Sequence, residues 1–168
     1  FFKVAFSVMF LIIICLWFFM PRYWKLSPPV NEGHLKTGVT ETGDPWIGSD
    51  NPELIIYEYT DYMCFQCMKM HFYLRKLMSA YPRKIRLVHI NYPMDKKNNP
   101  IVVPNDFHIG AGKLALISEY ASDRSDFWKI NDLLFKIGRM SGSIDYQIIA
   151  KETGLLPGEV LLALTHEY

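Results

Sequence analysis

Runs of apolar residues and the polar breaks between them divide the chain into three parts. Val4–Met20 is almost uninterrupted apolar sequence, broken only by Ser7. A bilayer core needs about 20 apolar residues as helix, with a lower limit of about 17. The run therefore predicts a membrane-spanning anchor over residues 1–21, ended by Pro21. Trp17, Tyr23 and Trp24 fall where an interfacial aromatic belt sits, and Arg22 and Lys25 where headgroups are met. A cleaved signal peptide would show a shorter apolar core followed by small residues. Here Trp17-Phe18-Phe19-Met20-Pro21-Arg22-Tyr23-Trp24 follows instead. Ser27–Asp44 holds Pro28, Pro29, Gly33, Gly38 and Gly43 without periodicity, and residues 22–45 are predicted as a flexible linker.

The third part, residues 46–168, carries the regular patterns. Leu54–Thr60 is apolar at nearly every position, as in a central parallel strand covered on both faces. Glu58 is the exception. Over Cys64–Tyr81 the spacing predicts a helix whose apolar face is Cys67, Met70, His71, Leu74, Leu77, Met78 and Tyr81. Pro82 stops it, and Ile85–Asn91 reads as a second strand. Two strands joined by one helix form a parallel, right-handed unit. From Asp106 onward the pattern is helical. Asp106 caps a helix to about Tyr120, Ser125 one to Gly138, and Ser143 one that closes at Gly154. Pro157 opens a last helix over Gly158–Tyr168.

Composition narrows the possible functions. The net charge is +1 and no basic cluster occurs, which excludes a nucleic-acid surface. There are three cysteines. Cys15 lies in the apolar run and reads as a small apolar residue. Cys64 and Cys67 form a spaced pair, and a structural disulfide across so short a loop would constrain almost nothing. The pair is therefore chemical or metal-binding.

Its position favours chemistry. A thiolate at a helix N-terminus is stabilised by backbone N–H groups that lack intrahelical partners. Cys64 takes that position, so it is the expected nucleophile. Cys67, one turn on and more buried, is the expected resolving thiol. Phe65 and Gln66 between them bring neither positive charge nor proline. Glu58 precedes the pair on the strand, and its side chain is expected to approach from below and relay the proton that Cys67 loses or gains. Burial without a partner would raise its pKa. His71, one turn beyond Cys67, reads as a core residue with a satisfied hydrogen bond. A second reading joins it to Met63, Met68, Met70 and the cysteines as a soft Cu(I) nest. His34, His89, His108 and His166 show no ligand spacing and read as structural or solvent-facing.

Trp46-Ile47-Gly48-Ser49 and Glu58-Tyr59-Thr60-Asp61-Tyr62-Met63-Cys64-Phe65-Gln66-Cys67 together resemble the opening and active-site segments of DsbA-like thiol–disulfide oxidoreductases. Tyr92-Pro93-Met94, His108, Ala111–Ala115, Phe127-Trp128 with Leu134-Phe135, and Ile149–Leu155 are similar to that family's helical insertion. The resemblance implies an α/β, thioredoxin-like fold with a helical insertion over about 105–168. It implies Cys64 as nucleophile, Cys67 as resolving cysteine and Glu58 as the family's buried acid, with no cofactor and no metal. Partners would be protein thiols and disulfides. An oxidising compartment places the domain on the extracytoplasmic side of the inner membrane, held by the N-terminal helix. In the family two more strands, a cis-proline loop and a closing helix follow the insertion. No such segment follows Tyr168, so the sequence is expected to be truncated, and the Leu54–Thr60 strand is expected to have one open edge. The alternatives are a non-catalytic thioredoxin-like subunit of a membrane complex and a copper-handling protein.

Overall fold

A computed structural model describes residues 2–19, 35–101, 105, 107–122, 124, 126–139 and 146–165. The strand–helix–strand unit forms where the pattern places it. Strand β3 (Leu54–Thr60), helix α2 (Phe65–Ala80) and strand β4 (Ile85–Asn91) follow one another, with β3 and β4 paired in parallel. In their register Glu58 faces His89 and Leu54 faces Ile85. Two strands precede the unit: β1 (Lys36–Val39) and β2 (Pro45–Gly48). They form an antiparallel hairpin, and β2 then pairs antiparallel with β4. The sheet order is β1-β2-β4-β3.

This arrangement corrects two expectations. The predicted linker contains β1. Its turn closes where the Thr40 amide donates to the Asp44 carbonyl at 2.9 Å and Gly43 takes φ +90°, a conformation open to glycine without steric cost. The pairing partner, not local pattern, makes this segment a strand. Second, β3 is an edge strand among the described residues rather than a central one. Its open edge matches expectation, but its apolar side chains are not covered on both faces. Ile55, Tyr57 and Tyr59 are exposed, whereas Glu58 and Thr60 on the alternate face are buried. β4, flanked on both sides, keeps Leu87, Val88 and His89 at 1% exposure or less.

Helices α3 (Ala111–Tyr120), α4 (Phe127–Ile137), α5 (Tyr146–Thr153) and α6 (Pro157–Thr165) complete the described domain. Leu114, Ile117, Leu134, Phe135, Ile149 and Val160 from these helices are fully buried and share one core with Phe72, Met78 and Leu87. Asn131 and Trp128 of α4 point toward the sheet, and the Trp128 indole donates to the Trp46 carbonyl at 3.2 Å. Helix α2 turns most of the predicted face inward: His71, Leu74 and Met78 are buried, and Cys67 and Leu77 are partly buried against the core. Met70 and Tyr81 are half-exposed or more, while Arg75 is fully buried.

Helix α1 (Phe2–Phe19) forms over the apolar run, and every side chain from Lys3 to Phe19 is exposed. At 1.5 Å per residue its 18 residues rise about 27 Å, against a bilayer core of about 30 Å. Among the described residues no helix is long and apolar enough to cross a membrane; residues 1, 20 and 21 of the anchor expected over 1–21 lie outside them. Pro21, Arg22, Tyr23, Trp24, Lys25, His34, His166 and the expected caps Asp106, Ser125 and Ser143 lie outside the described residues.

Candidate active site at the Cys64–Cys67 dithiol

The turn between β3 and α2 is built by Asp61, which is 2% exposed. Its Oδ1 accepts the backbone N–H of Met63 at 2.7 Å and of Cys64 at 3.1 Å. Its Oδ2 accepts the Met94 N–H at 2.6 Å and lies 3.2 Å from His108 Nδ1. One carboxylate thus fixes the cysteine loop and ties it to two further loops. A short acidic side chain that bonds backbone amides two and three residues on is a strong local turn former.

Cys64 then caps α2. Its backbone is extended (φ −77°, ψ 117°), and its Sγ accepts the Cys67 N–H at 3.3 Å. Cysteine here does what a serine or aspartate does at other helix starts, giving an acceptor to an otherwise unpaired N–H. Both cysteines are free and partly exposed. Burial pushes the Cys67 thiol up to about 11, and its hydrogen bond with Cys64 adds to the rise. The pair is therefore asymmetric: Cys64 is offered at the helix end, and Cys67 holds its proton.

Below the dithiol lies a buried chain of charges. The His71 ring is inaccessible, with Nδ1 2.9 Å from Glu58 Oε1 and Nε2 2.8 Å from Asp132 Oδ1. Carboxylate oxygens only accept, so both nitrogens carry protons and the ring is an imidazolium. Burial would lower an imidazole, but Glu58 and Asp132 outweigh it and push His71 up to about 9. Burial would raise the Glu58 carboxyl, yet the charge and hydrogen bond of His71, with the His89 hydrogen bond, hold it at about 2. Arg75 Nη2 lies 3.5 Å from Asp132 Oδ2, and its guanidinium stacks over Trp128 at 4.8 Å. Formal charges alternate along Glu58, His71, Asp132 and Arg75 and sum to zero. Such a chain repays its desolvation only when every member is paired.

The chain continues into a network of hydrogen bonds. His89 Nδ1 is 3.3 Å from Glu58 Oε1. The Tyr62 hydroxyl lies 3.0 Å from His89 Nε2 and 2.6 Å from both Ser118 Oγ and Asn131 Oδ1. Burial raises the Tyr62 pKa well above its ordinary value, so the phenol keeps its proton. This network joins the cysteine loop to α3 and α4. Gly138, which ends α4, completes the junction: a Cβ there would sit 2.3 Å from the Tyr62 carbonyl oxygen.

Two expectations need correction. Glu58 is buried, but it is not an unpartnered acid with a raised pKa. It is a carboxylate clasped by two histidines, and its described hydrogen bonds run to His71 and His89 rather than to the cysteines. The Cu(I) reading required the His71 imidazole, and both of its nitrogens are committed to carboxylates in the core. Cys64 and Cys67 do sit together at the helix start, as expected. The spacing of the sequence passed over Asp61, Arg75, Asp132, His89 and Tyr62. Asp61 could be found from its position three residues before a helix-starting cysteine. Arg75 could be found as a charge at the position one turn beyond His71. Asp132 is brought in by tertiary folding alone.

A β-α-β unit carrying a dithiol at its helix start, with helices packed beyond it, defines a thioredoxin-like protein. The Thioredoxin family model matches residues 40–139, more than half of the chain, and the chain belongs to that family. A thioredoxin-like oxidoreductase from Silicibacter pomeroyi DSS-3 is similar in fold, with a TM-score of 0.56 at 20% identity over 75% of this chain. ScsC of Proteus mirabilis, in a compact conformation, aligns with a TM-score of 0.49 at 18% identity over 74% of this chain. The chain spans 65% and 54% of those two structures, less than two thirds of either. No curated protein matches.

Proposed function

We propose that the protein is a thiol–disulfide oxidoreductase acting on extracytoplasmic proteins through Cys64-Phe65-Gln66-Cys67. The observation that carries this reading is Cys64 Sγ at the N-cap of α2, accepting the Cys67 N–H at 3.3 Å, with both thiols partly exposed. From the reduced state the Cys64 thiolate attacks one sulfur of a substrate disulfide. The Cys64–substrate S–S bond forms and the other substrate sulfur leaves as a thiolate. Cys67 then gives up its proton and attacks Cys64 Sγ, forming the Cys64–Cys67 bond and expelling the second substrate thiolate. Run in reverse, the same steps oxidise a substrate dithiol. Glu58 serves as a positioning residue: through His71 it anchors the helix that carries the pair. The test is disulfide exchange with insulin or a model peptide. Cys64→Ser is expected to abolish it, and normal exchange in that variant would overturn the assignment.

Membrane attachment through α1 is part of the same proposal. A helix apolar around its whole circumference, with every side chain from Lys3 to Phe19 exposed, suits lipid or a partner helix. Recovery of the full-length protein in the membrane fraction after alkaline carbonate washing is the expected result; release into the wash would contradict it.

A second reading, a non-catalytic subunit of a membrane complex, is favoured by one observation: among the described residues β3 pairs on one edge only. In that case a variant lacking both cysteines would retain partner binding.

A further inference from the structure

The turn that leads into α3 holds a residue in a conformation that its side chain disfavours. His108 has φ +47°, in the left-handed region that residues with a Cβ seldom adopt. Residues held this way cluster at functional sites. Two hydrogen bonds fix the turn: Asp95 Oδ2 accepts the Gly110 N–H at 2.9 Å, and the His108 carbonyl accepts the Ala111 N–H at 2.9 Å. The His108 ring is thereby set against the cysteine loop. Its Nδ1 is closed to solvent and lies 3.2 Å from Asp61 Oδ2; among the described residues the contact is one of charge rather than a hydrogen bond. The Phe107 ring stacks on the imidazole with centroids 4.0 Å apart.

Asp61 in turn reaches both cysteines. Its Oδ1 and its backbone carbonyl each accept the Cys64 N–H at 3.1 Å. Burial is the largest cause that raises the Cys67 thiol, and the charge of Asp61 adds to it, while a backbone hydrogen bond at Asp61 works the other way. The carboxylate that shapes the loop is therefore also a charge that opposes the Cys67 thiolate.

We propose that His108 is a positioning residue of the dithiol: it holds the Asp61 carboxylate and, as an imidazolium, counters its charge beside the cysteines. The inference rests on the oxidoreductase reading and adds a residue to that same site. A neutral ring leaves Nδ1 buried without a hydrogen bond, which costs free energy. An imidazolium facing a carboxylate gains the charge pairing instead. With Asp61 countered, Cys67 gives up its proton more readily as it attacks Cys64 Sγ. On the segments around the turn, Asp95 is engaged by the Lys97 and Gly110 N–H groups. Lys96, Lys97, Lys113 and Glu119 are exposed, so Asp61 is the buried charge that meets the ring.

The test follows the reactivity of Cys67 across pH. His108→Asn removes the imidazole, and asparagine accepts the same left-handed backbone. In full-length chains carrying Cys64→Ser, labelling of Cys67 by methyl methanethiosulfonate is timed by mass spectrometry. The His108→Asn chain is expected to label about threefold more slowly at about pH 5.5, where an imidazole carries its second proton, and at the same rate at about pH 9, where it has lost it. Exchange with a disulfide-bonded peptide by chains retaining both cysteines should show the same pH-dependent loss. An equal loss at both pH values would mark a merely structural role and overturn the inference, as would no loss at either. A labelling difference at acid pH alone, in a protein whose wild-type chain exchanges no disulfide, would overturn the oxidoreductase reading and leave the His108–Asp61 arrangement standing.

Discussion

Two successive turns of α2 do opposite things with similar chemistry. The first, Cys64 to Cys67, keeps ionisable groups partly exposed and held by little more than backbone. The next, His71 to Arg75, takes its ionisable groups out of water and pairs them with Glu58 and Asp132. The first turn is placed to react and the second to stay fixed. The contrast shows how a reactive pair can be set on a rigid support. Exposure supplies access to a substrate, while the buried Glu58, His71, Asp132 and Arg75 chain holds the helix against β3 and α4.

Breaking the second turn should have the largest effect on stability. Removing one member of a buried, paired set leaves an uncompensated charge, at about 3–5 kcal/mol. His71→Leu, which strands Glu58 and Asp132, is expected to lose stability on that scale in chemical denaturation. Cys64→Ser should lose about 1 kcal/mol or less, since a hydroxyl replaces the thiol as the cap, while abolishing exchange. The two variants separate support from reaction.

The pH dependence sharpens the same contrast. The folded pKa of His71 is raised from 6.5 to about 9, so its contribution is complete below pH 6.5 and is lost as pH rises through 9. The folded pKa of Glu58 is lowered from 4.5 to about 2, so its contribution is complete above pH 4.5 and is lost as pH falls through 2. Stability from this pair should plateau between pH 4.5 and 6.5 and decline on both sides. Thermal melts across pH should show that plateau, and His71→Leu should flatten the alkaline limb.

Smaller effects follow at the junction between the turns. Asp61→Ala removes the acceptor of the Met63, Cys64 and Met94 amides and should cost about 2 kcal/mol, the scale of leaving buried donors unpaired. It should also slow exchange by loosening the cysteine loop. Gly138→Ala, which puts a methyl group against the Tyr62 carbonyl, should cost about 1–3 kcal/mol, as overpacking does.

The elements of this site were unevenly legible in the sequence. Strand Ile85–Asn91 appears with the expected bounds, and α2 differs from its expected span by one residue at each end. Local periodicity and a proline stop were enough for both. The dithiol at a helix start was legible for the same reason: cap, cysteine spacing and helix pattern are contiguous. Strand β1 was not, because Lys36–Val39 becomes a strand only by pairing with β2. The open edge of β3 among the described residues was expected, but its exposed face was not, since an apolar run cannot report what packs beside it. Glu58 was recognised as buried but its partners were not, because His71 lies 13 residues on and His71's second partner, Asp132, a further 61. Periodicity along one helix carries no information about a carboxylate delivered by another.

The most direct measurement is a trapping experiment. Cys67→Ser leaves Cys64 able to attack but removes the thiol that resolves the mixed disulfide. Incubated with a disulfide-bonded peptide and analysed by mass spectrometry without reductant, this variant should accumulate one peptide adduct per chain, mapped to Cys64. The Cys64→Ser variant should accumulate none. Absence of the Cys64 adduct, or equal labelling of Cys67 in the Cys64→Ser chain, would contradict the assignment of Cys64 as the attacking thiol.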